Sequence, residues 1–291
     1  MSPVLVMIGG GEGLAGLVAP RFTALGWEVA GIGSAPWAGG ADRLALDWDG
    51  GGAWALALEG AGAVVQFPGG GEAQTARVAS AVRACRVPPR VWIHVSSTDW
   101  YAAGACDRPD EWVGERGEDA GARRVCSEEE AFFREPVAAE TRKLVLRVGL
   151  VVCAPSVAVG QGMAGVMAAV GSGEISWIHA EDFAAAIEWA VADPFLSGVV
   201  NAVAPESAAW SVCHHACLEG LVSVVVPGGG AAFPWEARAA MPLRLRDEGF
   251  RWRHPVFGDW LARGRQVEAV GPVAEPPSEP TGRRLAAAGS G

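Results

Sequence analysis

Ser97, Asp99 and Tyr101 alternate through the run Val95-Ser96-Ser97-Thr98-Asp99-Trp100-Tyr101-Ala102, and all three are residue types that can move or hold a proton. A phenol can give a proton to a substrate oxygen or take one from it, a carboxylate can act as a general base, and a hydroxyl can polarise a carbonyl beside them. They form the candidate catalytic set, and Tyr101 is the only tyrosine of the chain. Plainer readings stand beside these: a tyrosine ring packed in the core with its hydroxyl on a backbone group, and an aspartate capping the next turn.

A second set is built from glycine. The apolar run Val4–Ile8 leads into Gly9-Gly10-Gly11-Glu12-Gly13-Leu14-Ala15-Gly16 and then into a helical segment. Gly10, Gly13 and Gly16 have the spacing that lets a chain turn tightly, approach a pyrophosphate and pack helix against strand. With Leu14, Ser34, Phe67 and Gly69 they make up the expected cofactor-binding set, for NAD or NADP. Glu12 sets a carboxylate in that loop. Ser34, after the second strand, stands where an acidic residue would favour NAD or an arginine NADP, so the choice of cofactor, and its retention, stay open.

Other residues invite chemistry less. His94 lies in the apolar run Val91–Val95 and reads as a hydrogen-bonded core histidine. His179 and Asp182 read as loop-fixing and helix-starting residues. Cys213, His214, His215 and Cys217 share a helix, but no second ligand pair has metal-site spacing, so no metal is expected. The run Glu128-Glu129-Glu130 reads as a solvated helix face.

The elements that must position these residues alternate. Short Val- and Ile-rich runs at Val4–Ile8, Glu28–Ile32, Ala63–Phe67, Val91–Val95, Leu144–Val152 and Val199–Ala202 are separated by helical segments at Leu14–Leu25, Ala73–Ala84, Arg123–Phe133 and Asp182–Ala192. This order predicts an α/β fold, a Rossmann-type doubly wound parallel sheet, over residues 1–204. Ser97, Asp99 and Tyr101 then fall at the carboxyl end of a central strand, where ligands bind in such sheets. A helix at Trp210–Leu221, a strand at Val222–Val226 and an irregular stretch to Arg263 predict a small C-terminal substrate cap over 205–265. Residues 266–291 read as a disordered tail, since Gly271–Gly291 combine Pro, Gly, Ser and Glu without an apolar face.

Composition narrows the partners. The chain has 291 residues with a net charge of -10 and no basic stripe, which argues against nucleic acid and anionic membranes. Neither a signal peptide nor a membrane-spanning run is read. The six cysteines form no dense framework and read as free thiols in a reducing compartment, so a cytoplasmic protein is expected. A small-molecule substrate is the expected partner, and a homodimer stays open.

Several motifs in order carry a family resemblance. The Ser97 run, Leu146-Arg147-Val148-Gly149-Leu150-Val151-Val152, Trp177-Ile178-His179-Ala180-Glu181-Asp182-Phe183, Gly198 through Pro205, and Pro242 through Pro255 are similar to motifs of the epimerase-like branch of the extended short-chain dehydrogenase/reductases. The likeness spans roughly residues 4–263 and implies that Ser97 holds the position of the family's catalytic Ser or Thr. Ordinary members carry a tyrosine and a lysine four residues apart on the helix after the serine strand. Matching Glu130 to that helix's glutamate puts Ala122 and Cys126 in those two places, Cys126 as a small buried thiol. The resemblance therefore implies an atypical NAD(P)-dependent epimerase or reductase acting on a small organic substrate between sheet and cap. A redox-neutral isomerase, cyclase or lyase using Ser97, Asp99 and Tyr101, and a non-catalytic nucleotide-binding pseudoenzyme, remain the alternatives.

Overall fold

The computed structural model describes residues 2–9, 13–33, 42–44, 51–102, 108–155, 173–227 and 239–270, with 42–44, 51–52 and 264–270 described by backbone alone. Gly10, Glu12, Ser34 and the segment Gly271–Gly291 lie outside the described residues. In chain order the elements are β1 (Val4–Ile8), α1 (Leu14–Ala24), β2 (Glu28–Ile32), β3 (Asp42–Leu44), α2 (Gly51–Leu58), β4 (Ala63–Gln66), α3 (Gly71–Ala84) and β5 (Val91–Ser97). After a 3-10 turn at Thr98–Trp100 come α4 (Ala120–Arg134), β6 (Arg142–Val148), β7 (Leu150–Cys153), β8 (Glu174–Ile175), β9 (Trp177–His179), α5 (Ala180–Ala192) and β10 (Gly198–Ala202). The C-terminal part adds β11 (Ala208–Ala209), α6 (Trp210–Leu218), β12 (Ser223–Val225), α7 (Leu243–Asp247) and α8 (Phe257–Val270).

Seven strands form one sheet in the order β10-β6-β5-β4-β1-β2-β3, and every pairing in it is parallel. This is the expected Rossmann-type doubly wound sheet. The chain moves outward from β1 to β3, then returns to start again at β4, so the crevice of such folds opens above the carboxyl ends of β1 and β4. Strands buried on both faces need apolar side chains on both faces, and β4 and β5 are buried throughout. Val91, Ile93 and Val95 pack with α1 and α5, whereas Trp92 packs with residues of α2, α3 and α4.

A smaller sheet, β12-β7-β9, packs with α6 and Phe257 into a separate apolar cluster. It corrects the single strand expected over Leu144–Val152, which divides at Gly149. A Cβ at Gly149 would lie 2.6 Å from the Ser176 carbonyl, so the backbones cross there and the chain leaves the large sheet for the small one. Two further expectations change. The stretch expected to be irregular up to Arg263 contains α7 and α8, and α8 continues to Val270, so residues 266–270 belong to a helix. The helix expected over Trp210–Leu221 ends at Leu218, and the strand after it is shorter than expected.

Candidate active site

Ser97 closes β5 and its Oγ accepts the Asp99 N–H at 3.1 Å, capping the 3-10 turn. Ser97 and Asp99 are both buried. The turn carries the chain to Tyr101, whose N–H returns to the Thr98 carbonyl. Tyr101 is fully buried, and its hydroxyl donates to Asn201 Oδ1 of β10 at 2.8 Å. The loop after it closes over the ring: a Cβ at Gly114 would stand 2.1 Å from Tyr101 Cε1. Burial pushes the phenol up to about 12, even with the Arg147 guanidinium nearby pulling it down. The structure thus brings the three sequence-predicted residues to one strand end, with the phenol turned inward onto Asn201.

Asn201 is the hub of this end. Its amide Nδ2 donates to the Met241 carbonyl at 2.9 Å and its backbone N–H donates to Glu111 Oε1 at 2.8 Å. The Glu111 carboxyl is pushed up by burial. Sequence reading passed over both Asn201 and Glu111, because neither lies near Tyr101 in the chain.

A buried charge pair was also missed. Arg147 on β6 makes a two-pronged ion pair with Glu129 of α4, at 3.0 Å (Nε to Oε1) and 2.7 Å (Nη2 to Oε2), with both side chains buried. Ser96 Oγ donates to the same carboxylate at 2.6 Å, and the guanidinium lies 3.6 Å from the Trp100 ring centroid. The expectation of a solvated Glu128–Glu130 face is corrected: Glu129 faces the sheet, and Glu130 is exposed, paired with Arg116. The signal was an arginine inside the otherwise apolar run Leu144–Val148, which must find a buried partner. If the helix is matched by Glu129 instead of Glu130, the compared places move from Ala122 and Cys126 to Gly121 and Val125. Neither register supplies a phenol or an amine.

A cavity of about 430 Å³ opens beside the turn, with Trp100, Arg116, Cys126, Glu129, Phe133 and Arg147 among its walls. It lies along α4 and takes no wall from the small sheet. Cys126 is buried as expected, and burial raises its thiol.

At the crevice end, Gly9 has φ +75° and its N–H donates to the Ile32 carbonyl, joining the ends of β1 and β2. Gly13 precedes α1, Leu14 is buried as its first residue, and Gly16 lies within it. Phe67 is buried after β4, and Gly69, with φ +111°, has open space on its Cβ side. Gly13 has a steric reason to be glycine: a Cβ there would lie 3.1 Å from Val225 of β12. The small sheet therefore touches the glycine loop directly.

The remaining candidates resolve as follows. His94 is buried in β5 and stacks on Phe132, but among the described residues neither ring nitrogen has a hydrogen-bond partner, which corrects the expectation of a bonded histidine. Burial lowers it to about 4. His179 caps α5, accepting the Glu181 N–H on Nδ1 at 3.2 Å. Asp182, expected to help start that helix, instead accepts the backbone N–H groups of Arg253 and His254 at 2.7 and 2.8 Å. Cys213 is buried on α6 and interacts with the Cys217 thiol.

No family model matches the chain. The chain is 25% identical over 203 residues to the epimerase family protein SDR39U1 of Bos taurus, covering 63% of this chain and 68% of that protein. The crystal structure of human epimerase family protein SDR39U1 (isoform 2) with NADPH superposes with a TM-score of 0.65 at 21% identity, over 90% of this chain and 99% of that one. WbmG of Bordetella bronchiseptica, solved in complex with NAD and UDP, gives 0.66 at 17% identity over 92% and 94%. The likeness to epimerase-like short-chain dehydrogenase/reductases read from the motifs is borne out, and structures of the same fold have been solved with NADPH or NAD bound. No helix among the described residues is long and apolar enough to cross a membrane.

Proposed function

We propose that this chain is an epimerase- or reductase-like protein whose crevice takes NAD or NADP together with a small organic substrate, and whose chemistry does not run through a tyrosine–lysine pair. One observation carries the second half of that reading. Tyr101 is the only tyrosine and Lys143 the only lysine, and they sit at opposite ends of their strands. Tyr101 follows the carboxyl end of β5, whereas Lys143 begins β6 and donates to the Phe132, Phe133 and Glu135 carbonyls at the end of α4. A lysine held there cannot lower the phenol's pKa or reach a nicotinamide ribose.

The cofactor half is supported by the order of the sheet, by the left-handed Gly9 and Gly69 at the crevice and by the NADPH and NAD in the similar structures. The start of α1 at Gly13–Leu14 would hold the pyrophosphate, with Phe67 and Gly69 lining the next strand end. Bound there, the nicotinamide would supply hydride transfer. The absence of a tyrosine–lysine pair favours a second reading, a redox-neutral isomerase, cyclase or lyase in which Ser97, Asp99 and Tyr101 handle the protons.

Titration of the purified chain with NADPH and NADH, followed by nicotinamide fluorescence, tests the cofactor reading. Saturable binding with a Kd below about 100 µM is expected for one of them. No saturation by roughly 1 mM would overturn it. Val225→Ala is expected to keep or tighten binding, whereas Gly13→Asp, which adds a carboxylate against the pyrophosphate and a clash with Val225, is expected to abolish it. If the cofactor binds but its nicotinamide is neither oxidised nor reduced during turnover of a substrate, the redox-neutral reading gains.

A further inference from the structure

His179 and Glu181, two positions apart, meet His254 from the far C-terminal part of the chain. His179 ends β9, Glu181 lies in the first turn of α5, and His254 precedes α8. Their ligand-type atoms lie within 4.8 Å of one another. The two imidazole centroids are 3.9 Å apart and the planes are tilted by 53°. Glu181 Oε2 is 3.1 Å from His254 Nε2, and the buried Nδ1 of His254 has no hydrogen-bond partner among the described residues. Trp260 lies beside both rings.

The arrangement is held from outside the cluster. Asp182 fixes the backbone at Arg253 and His254 through two N–H bonds, so the second histidine is positioned by main chain. Two imidazoles and one carboxylate are a ligand set that suits zinc, with a fourth place left for water.

We propose that His179, Glu181 and His254 bind a divalent cation of the zinc class, which ties the C-terminal segment to the start of α5. Two competitors limit its affinity. Arg253 Nη1 lies 3.0 Å from the same Glu181 oxygen, on a side chain 74% exposed and free to swing away. The Glu181 N–H also occupies His179 Nδ1, through one long hydrogen bond. Affinity in the micromolar range follows, well below that of a closed structural site.

Calorimetric titration of the full chain with zinc chloride, with cobalt(II) absorption spectra in parallel, tests the proposal. Expected are one site with a Kd of about 1–100 µM and the intense visible bands of four-coordinate cobalt. His254→Gln should weaken binding at least tenfold, and Arg253→Gln should tighten it several-fold by removing the competing cation. Cys217→Ser should leave it unchanged. His179→Gln should also weaken binding, but it removes the helix cap, so His254→Gln and Arg253→Gln carry the test if that variant fails to fold. Absence of saturable binding by roughly 1 mM, unchanged affinity in His254→Gln, no tightening in Arg253→Gln, or a loss in Cys217→Ser would overturn the site.

Discussion

The two ends of the same sheet edge are built differently. Above β1 and β4 the described residues are mostly glycine and apolar, Gly9, Gly13, Phe67 and Gly69, with the Gln66–Gln74 amide pair the main polar feature. Above β5, β6 and β10 it is crowded with polar groups that bond one another, Ser96 and Arg147 to Glu129, Tyr101 to Asn201, and Asn201 to Glu111 and Met241. An edge of glycines beside a helix start is shaped to receive a polar ligand. An edge whose polar groups are already paired has spent them on its own stability, and only those still able to turn toward a substrate can take part in chemistry. The contrast makes stability the first thing that substitutions on the β5–β6–β10 side should change.

The sharpest break in that contrast comes at Arg147. Arg147→Met leaves the Glu129 carboxylate buried without its guanidinium, and unfolding in urea is expected to show a loss of about 3–5 kcal/mol. The double variant Arg147→Met with Glu129→Leu should recover most of it, because an apolar pair of similar volume has no charge to desolvate. Equal losses in the single and double variants would mean that packing on Trp100, not charge pairing, sets the stability of this end.

His94 departs from that pairing: its ring is buried against Phe132, and among the described residues neither nitrogen has a hydrogen-bond partner. Its folded value near 4 lies below the unfolded value of 6.5. Between the two, the unfolded chain binds a proton that the folded chain refuses, so stability is complete above pH 6.5, falls as pH drops, and levels off below about 4. The loss approaches roughly 3 kcal/mol from this one group, and His179 adds to it with the same sign. His94→Phe, which keeps the stack on Phe132, should flatten that part of a stability-against-pH curve. An unchanged slope would assign the pH dependence to other groups.

Tyr101 separates the two readings of the strand end. Tyr101→Phe removes the donor to Asn201 Oδ1 and is expected to cost about 1–2 kcal/mol. If the phenol is also the acid or base, turnover should fall by roughly 10²-fold or more with the fold intact. A stability loss with unchanged turnover would make Tyr101 structural and move the proton chemistry to Ser97 and Asp99.

The doubly wound sheet was legible because burial on both faces writes itself as uninterrupted Val and Ile runs, and β1, β2 and β5 begin where those runs begin. The break at Gly149 was not, since a glycine inside an apolar run looks like continuity until the Ser176 backbone is seen pressed against it. α7 and α8 were hidden for a related reason: with five residues in α7 and charged residues spread through both, neither shows a clear apolar stripe. At the candidate site the sequence marked Ser97, Asp99 and Tyr101, which lie within five positions of each other. Asn201 and Glu129 escaped because each meets this end from a distant element, Glu111 because it lies in a turn without periodicity, and a single glutamate in a run of three carries no sign of which one faces inward.

The smallest expected effect is at Ser97. Its hydroxyl accepts one backbone N–H, that of Asp99, in the role a short side chain plays at a helix start. Ser97→Ala should therefore cost only about 0.5–1 kcal/mol, less than Tyr101→Phe, and the turn should persist because the Tyr101 N–H still reaches the Thr98 carbonyl. That mildness makes it the cleanest probe of chemistry on this side of the sheet. Because the fold is scarcely disturbed, a turnover loss far larger than the loss of folded protein would mean that the hydroxyl leaves its cap and touches substrate. NADPH affinity measured on the same variant supplies the control. Unchanged affinity with reduced turnover assigns Ser97 to the reacting end, whereas proportional loss of both returns it to the turn it caps.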